Sequence, residues 1–258
     1  MRALLRLTPV ALLLLAACGA PPKTQVFVLG MIHGDHLTNE RWGVQEVRDT
    51  IAAIDPDVVC AEIPPDRWER VAAEWREFGE VRDDRVQRFP EYTHALLPLW
   101  SESSERFVIE PCAAWTQQMH DARVAALKVF AEDPLYAEAH RAYEFAEAEM
   151  ARRHAASPID ASDPRVIHSA LYDERTRQAL RPYDRYLNDY LGAGGWTNIN
   201  AAHWALIAEA LDRHRGKRVL IMFGAGHKHW FLDRLRERED VELVEVEPWL
   251  PRGVALTP

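Results

Sequence analysis

The chain has 258 residues, with 31 Lys and Arg against 40 Asp and Glu, for a formal net charge of −9. An acidic body repels nucleic acid and anionic lipid alike, so neither is expected as a nonspecific partner. The three cysteines contain no Cys-x-x-Cys pair, which argues against a zinc knuckle and a thioredoxin-type redox site.

The N-terminus reads as a targeting segment. Arg2 and Arg6 precede a short apolar run, Val10-Ala11-Leu12-Leu13-Leu14-Leu15. That run is shorter than the roughly 20 residues a membrane-crossing helix needs. It closes on Leu15-Ala16-Ala17-Cys18, which resembles the bacterial lipobox. The resemblance implies cleavage before Cys18 and acylation of its thiol and new amino group. Residues 1–17 are therefore expected to be a signal peptide, and residues 18–24 a lipidated cysteine with a brief tether. Gly19, where Asp would imply inner-membrane retention, points to an outer-membrane address facing the periplasm. Losing Arg2 and Arg6 takes the formal charge from −9 to −11. The lipid, not a basic patch, would hold the protein at the membrane.

Five apolar runs read as buried strands: Val26 to Leu29, Val58 to Glu62, Phe107 to Glu110, Arg218 to Phe223 and Val241 to Val246. Between the first two, Val44, Val47, Ile51 and Ile54 recur at helical spacing up to Asp55-Pro56. A strand–helix–strand unit implies parallel strands and a right-handed crossover. After Glu62, Pro64-Pro65 opens a charged helix whose Trp68 and Trp75 read as core, with Asp66 and Glu69 on its solvated face. From Phe78 to Ser104 no pattern stands out. From about 113 to 215 the chain is helical in character, broken at Ser157–Pro164 and at Leu191–Gly195. Asn200 is expected to cap the last helix of this stretch. The fold class is thus α/β: a mostly parallel open sheet of about five strands, with a large helical insertion between strands three and four. Residues 25–258 are read as a single domain. Cys60 and Cys112 lie near strand ends, where a disulfide and two buried thiols are both open.

Two strand ends carry the same element, Gly30-Met31-Ile32-His33 and Gly224-Ala225-Gly226-His227, and a third delivers Glu62. Open α/β sheets bind ligands at the carboxyl ends of their strands. Catalytic metal sites commonly use three protein ligands and one open position, so His33, Glu62 and His227 are candidate ligands and catalytic residues. Two histidines and a carboxylate suit zinc, manganese, cobalt or iron alike. Such an ion would acidify a bound water and polarise a carbonyl. Asp35, His36 and His229 are candidates for a further ligand, a supporting partner or a general base. Arg67 is a candidate ion-pair partner of Glu62. His203 is weighed as a site residue, whereas His168 and the remaining histidines read as structural or surface groups. No Gly-x-Ser-x-Gly is present, which argues against a serine hydrolase.

Val28-Leu29-Gly30-Met31-Ile32-His33, then Pro56-Asp57-Val58-Val59-Cys60-Ala61-Glu62 with Arg67, then Gly224-Ala225-Gly226-His227 resemble the TraB/PrgY/GumN group. That group includes the Tiki membrane-tethered metalloproteases and is related to erythromycin esterases and ChaN haem-binding proteins. The likeness covers about a third of the chain, at its two ends. It implies a metal-dependent hydrolase fold with Gly30 and Gly224 supporting the site, and a helix-start Asn at Asn198, with Asn200 as the competing match. The chain departs from the group in three places: Ile-Pro-Pro follows Glu62, Lys228-His229-Trp230 follows the second motif, and Thr197 stands where Arg is usual. The expectation is an envelope lipoprotein that hydrolyses a peptide, ester or other small molecule with a divalent metal. Its alternatives are a non-catalytic haem carrier and a metal-independent His/Glu esterase.

Overall fold

The computed structural model describes residues 22–102 and 107–251; the expected signal peptide and the acylated Cys18 lie outside the described residues. Strands β1 (Thr24–Met31), β2 (Val58–Ala61), β3 (Val108–Pro111), β4 (Arg218–Gly224) and β5 (Val241–Leu243) form one sheet in the order β3-β2-β4-β1-β5. All neighbouring pairs are parallel. The α/β reading is correct, and each expected strand exists. β1 starts at Thr24, inside the expected tether, because the Thr24 N–H reaches the Asp240 carbonyl at 3.1 Å. β5 ends at Leu243, three residues short of the expected end.

The helices follow in chain order. α1 (Val44–Ile54) ends at Asp55, whose φ of 51° breaks the helix. α2 (Pro65–Phe78) starts with Pro65 in its first turn, where a missing N–H costs nothing. A π-helical turn, Glu91–Leu96, runs directly into α3 (Leu97–Glu102) in the stretch where no pattern was read. Between β3 and β4 come α4 (Gln117–Glu132), α5 (Ala137–Ala155), α6 (Pro164–Ile167), α7 (Ala170–Leu187) and α8 (Trp196–Arg213). α9 (Ala225–Arg236) follows β4 with no intervening loop.

Alternate residues of the strands feed two cores. Phe27, Leu29 and Met31 pack with α1, α2 and the π-turn, while Val26 and Val28 pack with α8 and α9. Both sheet faces are thereby covered, which is why the strand runs are continuously apolar.

α8 corrects one expectation. It begins at Trp196, not at Asn200. The free N–H groups of its first turn are met by α7 and the residue after it: Thr197 donates to Asp184 Oδ1 at 3.1 Å and Asn198 to Asn188 Oδ1 at 3.1 Å. A cap drawn from distant residues leaves no local signature. Gly195, just before the helix, lies so close to Asn188 that an added Cβ would stand 2.3 Å from its carbonyl oxygen.

Candidate active site

The sheet order decides what meets. β4 lies between β1 and β2, so His227 leaves the centre of the sheet, flanked by His33 beyond β1 and Glu62 beyond β2. The three sequence candidates therefore share one sheet edge.

Glu62 sits against the start of α9. The Gly224 N–H donates to its Oε2 at 2.8 Å, and the helix N-terminus favours a negative charge there. Its backbone N–H donates to the Tyr92 hydroxyl at 2.8 Å, which itself donates to the Met222 carbonyl at 2.7 Å. Buried Tyr92 thus ties the ends of β2 and β4 together. Burial pushes the Glu62 carboxyl upward, but His227, His33, His203 and the Gly224 N–H together hold it below the usual carboxylate value. Arg67, expected as its partner, pairs instead with buried Asp83 at 2.8 Å. Pro64 and Pro65 open α2 immediately after Glu62, and the Asp83 carboxylate lies beside that helix.

His227 points its Nε2 at Glu62 Oε1, 4.0 Å away. Its Nδ1 lies 2.7 Å from Asn200 Oδ1, and the Asn200 amide donates to the Trp196 carbonyl at 2.8 Å. Asn200 therefore offers an oxygen, the ring proton sits on Nδ1, and Nε2 presents a lone pair to Glu62. The Trp196 indole stacks on the imidazole at 4.7 Å between centroids. Burial lowers the His227 pKa from its ordinary value despite the attraction of Glu62.

His33 is held differently. Its φ of 52° is a left-handed conformation that a non-glycine residue adopts at a cost. His36 supports that turn: its Nε2 accepts the Ile32 N–H at 3.0 Å and its Nδ1 donates to the Trp42 carbonyl at 2.6 Å. His36 is thus a prop for the loop, with both ring nitrogens committed to backbone groups. The His33 Nδ1 donates to Glu91 Oε1 at 2.7 Å; the Glu91 side chain is 0 % exposed, whereas that of His33 is 36 % exposed. Burial alone would lower the His33 pKa, but the Glu91 hydrogen bond and the charges of Glu62 and Glu91 raise it overall. The Nε2 faces Gly224: a Cβ there would stand 2.6 Å from it and 3.5 Å from Glu62 Oε2. Gly224 is in the site because a bare Cα leaves room for the His33 ring where it stands.

The other candidates go elsewhere. Asp35 is exposed. The Gly30 N–H donates to His168 Nε2 at 2.9 Å, and a Cβ on Gly30 would stand 3.1 Å from the Ala225 Cα, so both serve the β1–α9 junction. Asn198 donates to the Gly192 carbonyl at 2.7 Å and closes a loop, so Asn200, not Asn198, serves the site. His229 is buried with an unpartnered Nδ1, and its ring stacks against the Trp196 indole at 6.5 Å between centroids. Cys60 and Cys112 are buried free thiols; their mutual hydrogen bond, then burial, pushes the Cys112 thiol well up.

Three groups of the site escape sequence reading, and His203, weighed there, joins them. Glu91, Tyr92 and Trp196 are placed by the π-turn and by α8. His203, whose Nδ1 accepts the Ala114 N–H at 2.8 Å, stands 5.3 Å from the His227 ring, and burial drives its pKa down to about 3. Glu62, His203 and His227 open onto a cavity of about 330 Å³ that Arg85, Trp115, Arg123 and Trp196 also line.

Comparisons with family models, characterised proteins and solved structures return no match. The expected metal can be tested on the donors themselves. Each of His33 and His227 donates its Nδ1–H to an outer acceptor and leaves Nε2 free, the usual dress of a metal-binding histidine. As placed, however, no three His, Cys, Asp or Glu among the described residues form a group that would hold an ion. Ligands about 2.1 Å from one tetrahedral cation stand roughly 3.4 Å apart. The His227–Glu62 gap of 4.0 Å is wider, and it matches a water about 2.8 Å from each partner.

Proposed function

We propose that this chain is a hydrolase of esters or amides, in which Glu62 and His227 hold the attacking water and His33 protonates the leaving group. The observation that supports it most directly is the 4.0 Å opening between Glu62 Oε1 and His227 Nε2, with the other nitrogen of that imidazole committed to Asn200. Water in that opening gives one proton to His227 Nε2 as its oxygen bonds to the substrate carbonyl carbon. Ionised Glu62 stabilises the imidazolium that results, and Asn200 keeps the ring in register. Collapse of the tetrahedral adduct breaks the carbonyl–O or carbonyl–N bond, and the leaving atom takes the proton on His33 Nε2. The opposed shifts suit these roles, since the base lies below and the acid above the ordinary imidazole value.

A second reading keeps the divalent cation, and the paired outer acceptors Glu91 and Asn200 favour it. His33, Glu62 and His227 would then hold the ion, which would acidify its water and polarise the carbonyl. In either form the protein is a TraB/PrgY/GumN-like lipoprotein, anchored through Cys18 in the outer membrane and facing the periplasm. The sequence motifs support that assignment.

One experiment separates these readings: hydrolysis of p-nitrophenyl acetate and of fluorogenic peptides by wild type, Glu62→Gln and His227→Ala, with and without chelator. Turnover that resists chelator and falls at least a hundredfold in both variants supports the water dyad. Turnover lost to chelator and restored by manganese, cobalt, zinc or iron supports the metal. No turnover, with a Soret shift on haem titration that His227→Ala abolishes, would replace both by the haem carrier.

A further inference from the structure

The cavity beside the acid–base groups also carries two cationic side chains, against the trend of the chain. Arg85 and Arg123 both line it, in a protein whose formal charge is −9. Their guanidinium carbons lie 6.0 and 5.9 Å from the centroid of the same Trp115 ring, which places two like charges beside one indole. Many other arginines are compensated: Arg41, Arg67, Arg70, Arg177, Arg213 and Arg238 each meet a carboxylate. Among the described residues, neither Arg85 nor Arg123 has a carboxylate within ion-pair distance. Arg123 donates its Nε–H to the Tyr183 hydroxyl at 2.9 Å, and its terminal nitrogens have no protein acceptor. The Arg85 side chain makes no hydrogen bond, and its Nε is buried without a partner. Glu62 attracts Arg85 through space, but desolvation still dominates and lowers the Arg85 pKa.

A buried donor left without an acceptor costs about 1–3 kcal/mol, and two uncompensated guanidiniums beside one ring add mutual repulsion. An anion in the cavity would relieve both, because arginine offers a planar fork of N–H groups that matches carboxylate and phosphate oxygens. Trp115 and Trp196 supply flat apolar walls for the body of the same ligand.

We infer that this cavity takes an anionic substrate: a carboxylate or phosphate group held by Arg85 and Arg123, with the scissile carbonyl presented to Glu62 and His227. The inference rests on the hydrolase reading of the same cavity. A cavity of about 330 Å³ has room for a small acyl or peptidyl unit that reaches both the arginines and the Glu62–His227 pair. Selectivity comes from where the charge sits. A neutral ester binds only through the indoles, whereas an ester with an anionic tail also engages the guanidiniums and is fixed for attack. A cationic tail meets Arg85 and Arg123 as like charges and is rejected.

The test compares the full chain on p-nitrophenyl acetate and on mono-p-nitrophenyl succinate, an ester with a carboxylate tail. The expected kcat/KM ratio favours the succinate ester at least tenfold at low salt. That ratio falls towards one in Arg85→Gln/Arg123→Gln and also in wild type at high ionic strength, which covers a variant that fails to fold. A ratio near one for wild type at low salt overturns the inference while leaving the hydrolase reading intact. If neither ester is cleaved, the hydrolase reading fails and binding decides separately: succinate and inorganic phosphate are titrated while tryptophan fluorescence is followed. Saturable quenching by either anion that the double variant loses sustains the anion site. Succinate binding without phosphate binding assigns a carboxylate, the reverse assigns a phosphate, and quenching by neither overturns the inference.

Discussion

The tightest point of the site is Gly224, and Gly224→Ala tests the whole arrangement with one methyl group. The backbone there has φ of −47°, which alanine adopts without strain, and the N–H that donates to Glu62 is retained. The new Cβ would stand 2.6 Å from His33 Nε2 and 3.2 Å from its Cε1. An ordinary contact is near 3.5 Å, so the ring must retreat by about 0.9 Å. Glu62 Oε2, already at 3.5 Å, has no need to move. The obstructing atom is the end of a side chain that is 36 % exposed, so the ring can swing outward at a stability cost of about 1 kcal/mol. That swing stretches the 2.7 Å bond to Glu91 and takes the acid off its line to the leaving group. Misplacement by roughly 1 Å costs on the order of a hundredfold in rate. The expected outcome is a kcat lower by about that factor, with KM nearly unchanged and a urea midpoint close to wild type. The assay is steady-state hydrolysis of p-nitrophenyl acetate beside equilibrium unfolding. A kcat within threefold of wild type would show that His33 takes no part, and a loss matched by unfolding would show that Gly224 is merely a packing position.

Two further outcomes follow from the hydrogen bonds. Asn200→Ala releases the His227 Nδ1–H, and kcat is expected to fall tenfold or more, while Asn198→Ala, which only frees the loop at Gly192, keeps kcat within twofold; equal effects would return the site to Asn198. Glu91→Gln removes the hydrogen-bonded charge that raises the His33 pKa. A raised histidine pKa stabilises the fold fully below the unfolded value of about 6.5, and that stability is lost as pH rises through the folded value. The stability gap between wild type and Glu91→Gln should therefore be wider at pH 5.5 than at pH 8.5 in urea melts; a gap independent of pH would show that Glu91 acts on His33 only sterically.

The parts of the site that sequence reading reaches are those whose placement is local. Leu29-Gly30 and Phe223-Gly224 end apolar runs, and a histidine three residues past each glycine has little choice but to leave the strand end. Glu62 is legible for the same reason, as the first charge after Val58–Ala61. Glu91 is not, because a carboxylate among Arg88, Pro90 and His94 reads as solvated; only the π-turn against α1 buries it completely. Trp196 and Asn200 depend on where α8 begins, which Asp184 and Asn188 settle from another part of the chain. Arg85 and Arg123 come from segments 38 residues apart in a chain rich in arginine, and nothing in their own neighbourhoods distinguishes them from paired ones.

Even the local elements acquire meaning only through the sheet order. Had β4 added at an edge, as the last-formed strands of a simple parallel sheet do, His227 would stand one or two strand spacings of about 4.8 Å farther from Glu62 or His33. Its insertion between β1 and β2 places the second Gly-x-x-His element between the first and the carboxylate. That insertion also makes Tyr92 necessary. The β2–β4 ladder starts at Val58↔Val219 and ends at Ala61↔Met222, so the chain beyond it is free of the ladder where Glu62 and His227 depart. One hydroxyl, accepting from the Glu62 N–H and donating to the Met222 carbonyl, continues the pairing by one step. The distance between carboxylate and imidazole is thus inherited from the sheet itself, which is where the proposed water dyad needs its rigidity.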